Sequence, residues 1–178
     1  SVERIIRGYH NVRIFRTDFQ AVCDSLVGFS IDSTFHLYIE PVLWNGDNQI
    51  TSELMDIYTK NQQIDKAVFI GEPIMVSQVD SAHYNQIKGK VMEAFFREND
   101  IYRVDVNGNG QTYYYMVDED NPGYIQGFLV AECADITFMI NERQIEIVGN
   151  QLTWTSAPFK SPQTGQDIVF VVTFERVD

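Results

Sequence analysis

The chain carries three histidines, His10, His36 and His83, and two cysteines, Cys23 and Cys133. Imidazoles and thiolates hold metals and move protons, but a metal site needs several of them at short, regular spacing. The sequence has no HExxH and no CxxC. We expect no metal and no other cofactor, and each histidine reads as exposed or hydrogen-bonded. The thiols stand beside acids, Asp24 and Glu132, in strand-like context. That suits two half-buried thiols; a disulfide would require the fold to bring them together.

Carboxylates are the next source of chemistry. Asp24-Ser25, Asp32-Ser33 and Asp80-Ser81 repeat one dipeptide. Two converging carboxylates could act as acid and base on a glycan. The same dipeptides also hydrogen-bond to nearby backbone at strand ends. Gly28-Phe29-Ser30-Ile31-Asp32 lacks the second glycine of a nucleophile elbow. Asn107-Gly108-Asn109-Gly110 precedes a strand and not a helix, so it reads as a turn and not a phosphate loop. Asp118-Glu119-Asp120-Asn121 lacks the glycine and distal glutamate of a calcium loop and reads as a solvated turn closed by Pro122-Gly123. Trp44 and Trp154 could stack on sugars or fill a core or rim. No residue is assigned a catalytic role, and an enzyme is not expected.

The 178 residues suit one domain, or a repeat array acting as one. Net charge is −12, from 25 acidic and 13 basic residues, which disfavours nucleic acid and anionic membranes as partners. No apolar run is long enough to span a bilayer as a helix. Ser1-Val2-Glu3-Arg4 does not begin a secretory leader, and this does not locate the protein.

The elements that must position these residues are written as repeats. NQITSELMDIYTKNQQI (48–64) recurs as NQIKGKVMEAFFRENDI (85–101), with Asn48 and Asn85 37 residues apart. Met55 aligns with Met92, Tyr58 with Phe95, Phe69 with Val106 and Gly71 with Gly108. A looser third copy, ADITFMINERQIEIVGN (134–150), puts Ile136, Phe138 and Ile140 at the apolar places. Each copy reads as a hairpin with a four-residue polar tip, at 60–63, 97–100 and 141–144. Val91, Met92, Phe95 and Phe96 also fit one face of a helix. The alternation of Ile136, Phe138 and Ile140, and of Val12 and Ile14, Phe35, Leu37 and Ile39, and Ile168 to Phe174, decides for strands. The chain is expected to be all-β, with Met55, Ile57, Met92, Ala94, Phe96, Ile136, Phe138 and Ile140 on one apolar face.

NQIKGKVMEAFFRENDIYRV (85–104) resembles the repeat of the OstA-like proteins, which include LptA, LptC and the periplasmic N-terminal domain of LptD. QAVCDSLVGFSIDSTFHLYIEPVLWNGDNQI (20–50) looks like the Bacteroidota-type form, with Cys-Asp-Ser, Asp-Ser-Thr, Pro-Val-Leu-Trp and Asn-Gln-Ile in that order. The resemblance runs from Gly8 to Asn150. It implies an open, twisted β-jellyroll of stacked antiparallel hairpins over 1–150, with 151–178 as a closing or exchanged β segment. It further implies a periplasmic, cell-envelope carrier of lipopolysaccharide or lipid A. Its apolar slot would be lined by Met55, Ile57, Phe69, Met92, Ala94, Phe96, Val106, Ile136 and Phe138. Partners would be other OstA-like transport components, or further copies in a homo-oligomer, joined by edge-strand pairing. The charge of −12 departs from the basic or near-neutral character of familiar LptA proteins. Two other readings stay open: a structural envelope domain whose core is dry, and a polysaccharide-acting enzyme using Asp24 or Asp32.

Overall fold

The computed structural model describes residues 3–16, 19–98, 100–117, 121, 123–140, 147–148, 151–155, 159–160 and 167–175. Among these there are strands and no helix. The strands are β1 (Ile5–Phe15), β2 (Gln20–Phe29), β3 (Thr34–Tyr38), β4 (Val42–Asn45), β5 (Asn48–Thr51), β6 (Leu54–Lys60), β7 (Gln63–Ile70) and β8 (Ile74–Gln78). They continue as β9 (Tyr84–Lys88), β10 (Val91–Arg97), β11 (Asp100–Val117), β12 (Ile125–Ile140), β13 (Ile147–Val148), β14 (Gln151–Thr155), β15 (Phe159–Lys160) and β16 (Asp167–Glu175).

All the pairings are antiparallel, and they form one sheet folded back on itself into two leaves. In the first leaf the order is β2-β3-β6-β7-β10-β11; in the second it is β2-β4-β5-β8-β9-β11. The long strands β2 and β11 serve both leaves. Ser25 to Phe29 pair with β3 and Gln20 to Val22 with β4. Asp100 to Asn107 pair with β10 and Gln111 to Tyr113 with β9. β1 lies along all of β2, and β12 along most of β11. β16 adds to β12 only at Ile136 to Ile140, and β14 then pairs with β16.

The crease between the leaves has a common chemistry. A strand cannot bend sharply while every residue stays extended, so corners use bulges and left-handed residues. His10 and Asn11 (φ 63° and 60°), Ile39 and Glu40 (63° and 49°), Gly71 and Glu72 (87° and 47°) and Gly108 and Asn109 (76° and 54°) sit at these corners. The turn expected at Asn107 to Gly110 is therefore a bulge inside β11, where the register to β12 shifts, and the strand continues past it. Ile39 marks the corner and not the β3 core face; it is 61% exposed with positive φ.

Segments 48–64 and 85–101 match because each opens one circuit of the folded sheet. Asn48-Gln49-Ile50 and Asn85-Gln86-Ile87 begin in the second leaf, on either side of β8. The chain then crosses the crease and forms the β6–β7 or β10–β11 hairpin of the first leaf. Both hairpins have tighter turns than the sequence suggests. Lys60 pairs with Gln63 and Arg97 with Asp100, so two residues turn the chain and not four. Asn61 and Gln62 both have positive φ (51° and 65°), as a type I′ turn requires. The third copy is not a hairpin of this kind. Residues 135–139 of β12 pair with β11 on one side, and 136–140 with β16 on the other, leaving no edge for the segment after Ile140. Its described part, β13, pairs with β14. The tip expected at 141–144 lies outside the described residues.

The inner faces of the two leaves pack on each other as one core. Leu37, Leu43, Ile50, Met55, Phe69 and Met92 are all completely buried. Burying a side chain of this size contributes about 1.5–3 kcal/mol relative to leaving it exposed.

Candidate functional site

The site the sequence points to is the space between the leaves. Met55 and Ile57 on β6, Phe69 on β7, Met92, Ala94 and Phe96 on β10, Val106 on β11 and Ile136 and Phe138 on β12 all lie in the buried cluster. The register explains why they meet. Met55 faces Phe69, which faces Met92, which faces Val106, which faces Ile136. Four cross-strand pairs thus set five apolar side chains in one row across the first leaf. Ile140, expected on the same face, has no described side chain.

The second leaf supplies the opposite wall, which the sequence reading left undefined. Leu43, Ile50, Met75 and Ile87 form its apolar row. The signal for it was the Asn-Gln-Ile repeat, whose Ile50 and Ile87 belong to this row. The apolar interior reaches both end strands: Val12 and Ile14 of β1, and Leu129 and Cys133 of β12, pack against the core while remaining partly exposed. Ile6, paired with buried Gly28, has the inward parity of Val12 and Ile14 and is 59% exposed. At the side away from the crease the leaves meet at a mouth. Arg16 bridges it, its guanidinium Nη2 donating to the Gln62 carbonyl of the β6–β7 turn at 2.9 Å. Phe19, Ile64, Phe96 and Ile101 are buried just inside.

Among the described residues the interior carries no charge. Buried polar residues among those described are Thr34, Asn45 and Thr112. Thr112 donates its hydroxyl to the Gln86 carbonyl at 3.2 Å. Burial pushes the Tyr114 phenol well above its ordinary range, so it stays neutral. Burial also raises both thiols, with smaller contributions from Asp24 beside Cys23 and Asp135 beside Cys133. Both cysteines are free, on strands at opposite ends of the stack, and held as poorly nucleophilic thiols.

The polar chemistry is on the outside, and each histidine has an aspartate. His36 Nδ1 lies 2.6 Å from Asp56 Oδ1 across the β3–β6 pair. His10 Nδ1 lies 3.8 Å from Asp24 Oδ1, and His83 Nδ1 2.8 Å from Asp80 Oδ2. Sequence spacing could not reveal the first two pairs, because strand register creates them. Asp80 also accepts from the backbone N–H groups of Ala82 and His83 at 2.7 and 2.8 Å. The Ala82 N–H and then the imidazole hold its carboxyl below the usual carboxylate range. Asp24 accepts from Ser25 Oγ at 2.7 Å, a bond between the two side chains and not the bond to backbone expected of the dipeptide. Asp24 is near the crease and Asp32 is in the β2–β3 turn, so the fold does not bring this pair into one cleft. Trp44 is on the outer face and donates from Nε1 to Gln49 Oε1 at 2.9 Å. The side chain of Trp154 and most of 118–121 lie outside the described residues. No group of three or more His, Cys, Asp or Glu able to hold a metal occurs among the described residues.

No family model matches the chain, and no curated protein matches it by sequence. Its fold is similar to the crystal structure of LptH, the LptA-homologous periplasmic component of the conserved lipopolysaccharide transport device from Pseudomonas aeruginosa. The TM-score is 0.53 at 10% sequence identity, over 68% of this chain and 75% of that one. The architecture is thus an LptA-like, OstA-like β-jellyroll.

Proposed function

We propose that the protein is a non-enzymatic carrier or bridge of the periplasm that moves lipopolysaccharide toward the outer membrane. Acyl chains lie between the leaves against Met55, Ile57, Phe69, Met92, Ala94, Phe96, Val106, Ile136 and Phe138. The observation that carries this reading is the uncharged, apolar interior that runs from β1 to β12 inside an LptA-like fold. LptH is a transport component with this architecture. The outer edge of β1, and that of β12 over Ile125 to Asp135, have no paired strand among the described residues. Such edges suit strand addition by other OstA-like components or by further copies of this chain. Within 151–178, β16 acts as a closing element on the edge of β12 over Ile136 to Ile140. The net charge of −12 gives a phosphorylated headgroup no electrostatic help, so affinity comes from acyl contacts or from bridging divalent cations.

A second reading rests on one specific observation. Phe69, Met55 and Met92 are already fully buried, as in a core that stays dry. A lipid would enter only by parting the leaves at the mouth. One experiment separates the two readings: photo-crosslinking in cells, with a photoreactive residue at Phe96 in one variant and at Arg97 in another. Phe96 is buried and its neighbour Arg97 exposed. The carrier reading expects lipopolysaccharide adducts at position 96 and not at 97. Folded protein in the envelope with adducts at neither position would favour the structural domain.

A further inference from the structure

The inner face of the second leaf changes character toward the mouth. Near the crease it carries Leu43, Ile50, Met75 and Ile87. One inward position further out, the same four strands carry Asn45, Asn48, Ser77 and Asn85. The register places these in a row, with Asn45 facing Asn48, Asn48 facing Ser77 and Ser77 facing Asn85. Their parity is that of the buried residues two places away, so they point between the leaves. Asn45 is only 5% exposed. Ser77 Oγ donates to Asn48 Oδ1, and Asn85 Oδ1 accepts from the Tyr115 N–H at 2.8 Å. Across the mouth the first leaf presents Ile64, Phe96 and Ile101, all buried and apolar.

We infer that this row is a binding subsite for the uncharged linkage region of an acylated amphiphile, its amide, ester or hydroxyl groups, with the hydrocarbon running inward. The inference rests on the carrier reading and says which part of the ligand stops where. Side-chain amides combine a donor and an acceptor, so a row of them matches a group that also offers both. A phosphate calls for arginine or lysine; the Arg16 guanidinium at the mouth donates to the Gln62 carbonyl of the first leaf, and none of the four row positions is charged. Turn formation alone accounts for Asn45 and Asn48, which flank Gly46-Asp47, but not for Ser77 and Asn85. Both copies of Asn-Gln-Ile place their asparagine in this row and their isoleucine in the apolar row behind it. The repeat thus writes the boundary between polar lip and apolar interior twice.

The test compares two uncharged detergents with the same dodecyl chain, one joined to its sugar-like head through an amide and the other through an ether. Binding is measured by native mass spectrometry and calorimetry on the full chain. The amide-linked probe should bind about tenfold more tightly, the size of one net hydrogen bond. The double variant Asn48→Leu, Ser77→Ala should lose that preference while still binding the ether-linked probe. Equal binding of both probes to the unaltered protein overturns the subsite and leaves the carrier reading standing. Preference retained in the double variant also overturns it. Binding of neither probe sinks the carrier reading and the subsite together.

Discussion

The two leaves are built from the same run of chain, yet they spend their inner faces differently. The first is apolar from crease to tip, from Val106 and Met92 out to Phe96 and Ile101. The second is apolar only to Ile50 and Ile87, then polar at Asn48 and Asn85. The difference separates two tasks. One leaf supplies burial, and the other supplies the place where burial ends.

The comparison breaks most visibly in the first leaf. Phe69→Ala should cost about 3–5 kcal/mol, because the cavity lies in the middle of a packed row. In the second leaf, Asn85→Ala removes one bond to a backbone N–H and should cost about 0.5–1.5 kcal/mol. Urea unfolding of both variants checks this. Similar losses would mean that the leaves share the burial equally.

A smaller effect contrasts crease and mouth. Gly71 (φ +87°) and Gly46 (φ +54°) are both left-handed, a conformation that costs an alanine about 1–2 kcal/mol. A Cβ at Gly71 would also lie 2.6 Å from Glu53 Cβ, whereas one at Gly46 meets nothing within 4 Å. Gly71→Ala should therefore lower the melting temperature more than Gly46→Ala. Equal shifts would show that the crease yields as easily as an open turn.

The smallest effect concerns the β8–β9 turn of the second leaf. The Asp80 carboxyl is held below its usual range, so its contribution is present above the unfolded-state value and is lost as pH falls through the folded one. Asp80→Ala should be slightly less stable than the parent at neutral pH. The gap should close on acidification below the ordinary carboxylate range. A gap independent of pH would assign the turn's stability to its backbone alone.

Much of the fold was legible in the sequence. The alternation of Ile136, Phe138 and Ile140 decided for strands, and parity then gave the inward side of the first leaf, because burial alternates along β6 and β10 even where Phe95-Phe96 interrupts the apolar pattern. The crease was harder to read. Asn107 to Gly110 and Gly71-Glu72 look like chain reversals, since left-handed residues serve corners and hairpins alike. The third repeat misled because alternation reports a strand's face and not its partner. The histidine–aspartate pairs and the polar row depend on register, which exists only once strands are placed side by side. Of the interior, one wall was readable; the other was split among β4, β5, β8 and β9, with two inward residues each, too brief for a periodic signal.

The circuit of 37 residues gives the molecule a unit of length. Each circuit adds two strands to each leaf, and strands lie about 4.8 Å apart. A duplicated or deleted circuit would therefore lengthen or shorten the trough by about 10 Å, with every other residue keeping its neighbours. Such a chain is a ruler marked in whole turns. Its reach can be reset by copying one segment of gene, without redesigning the wall or the lip.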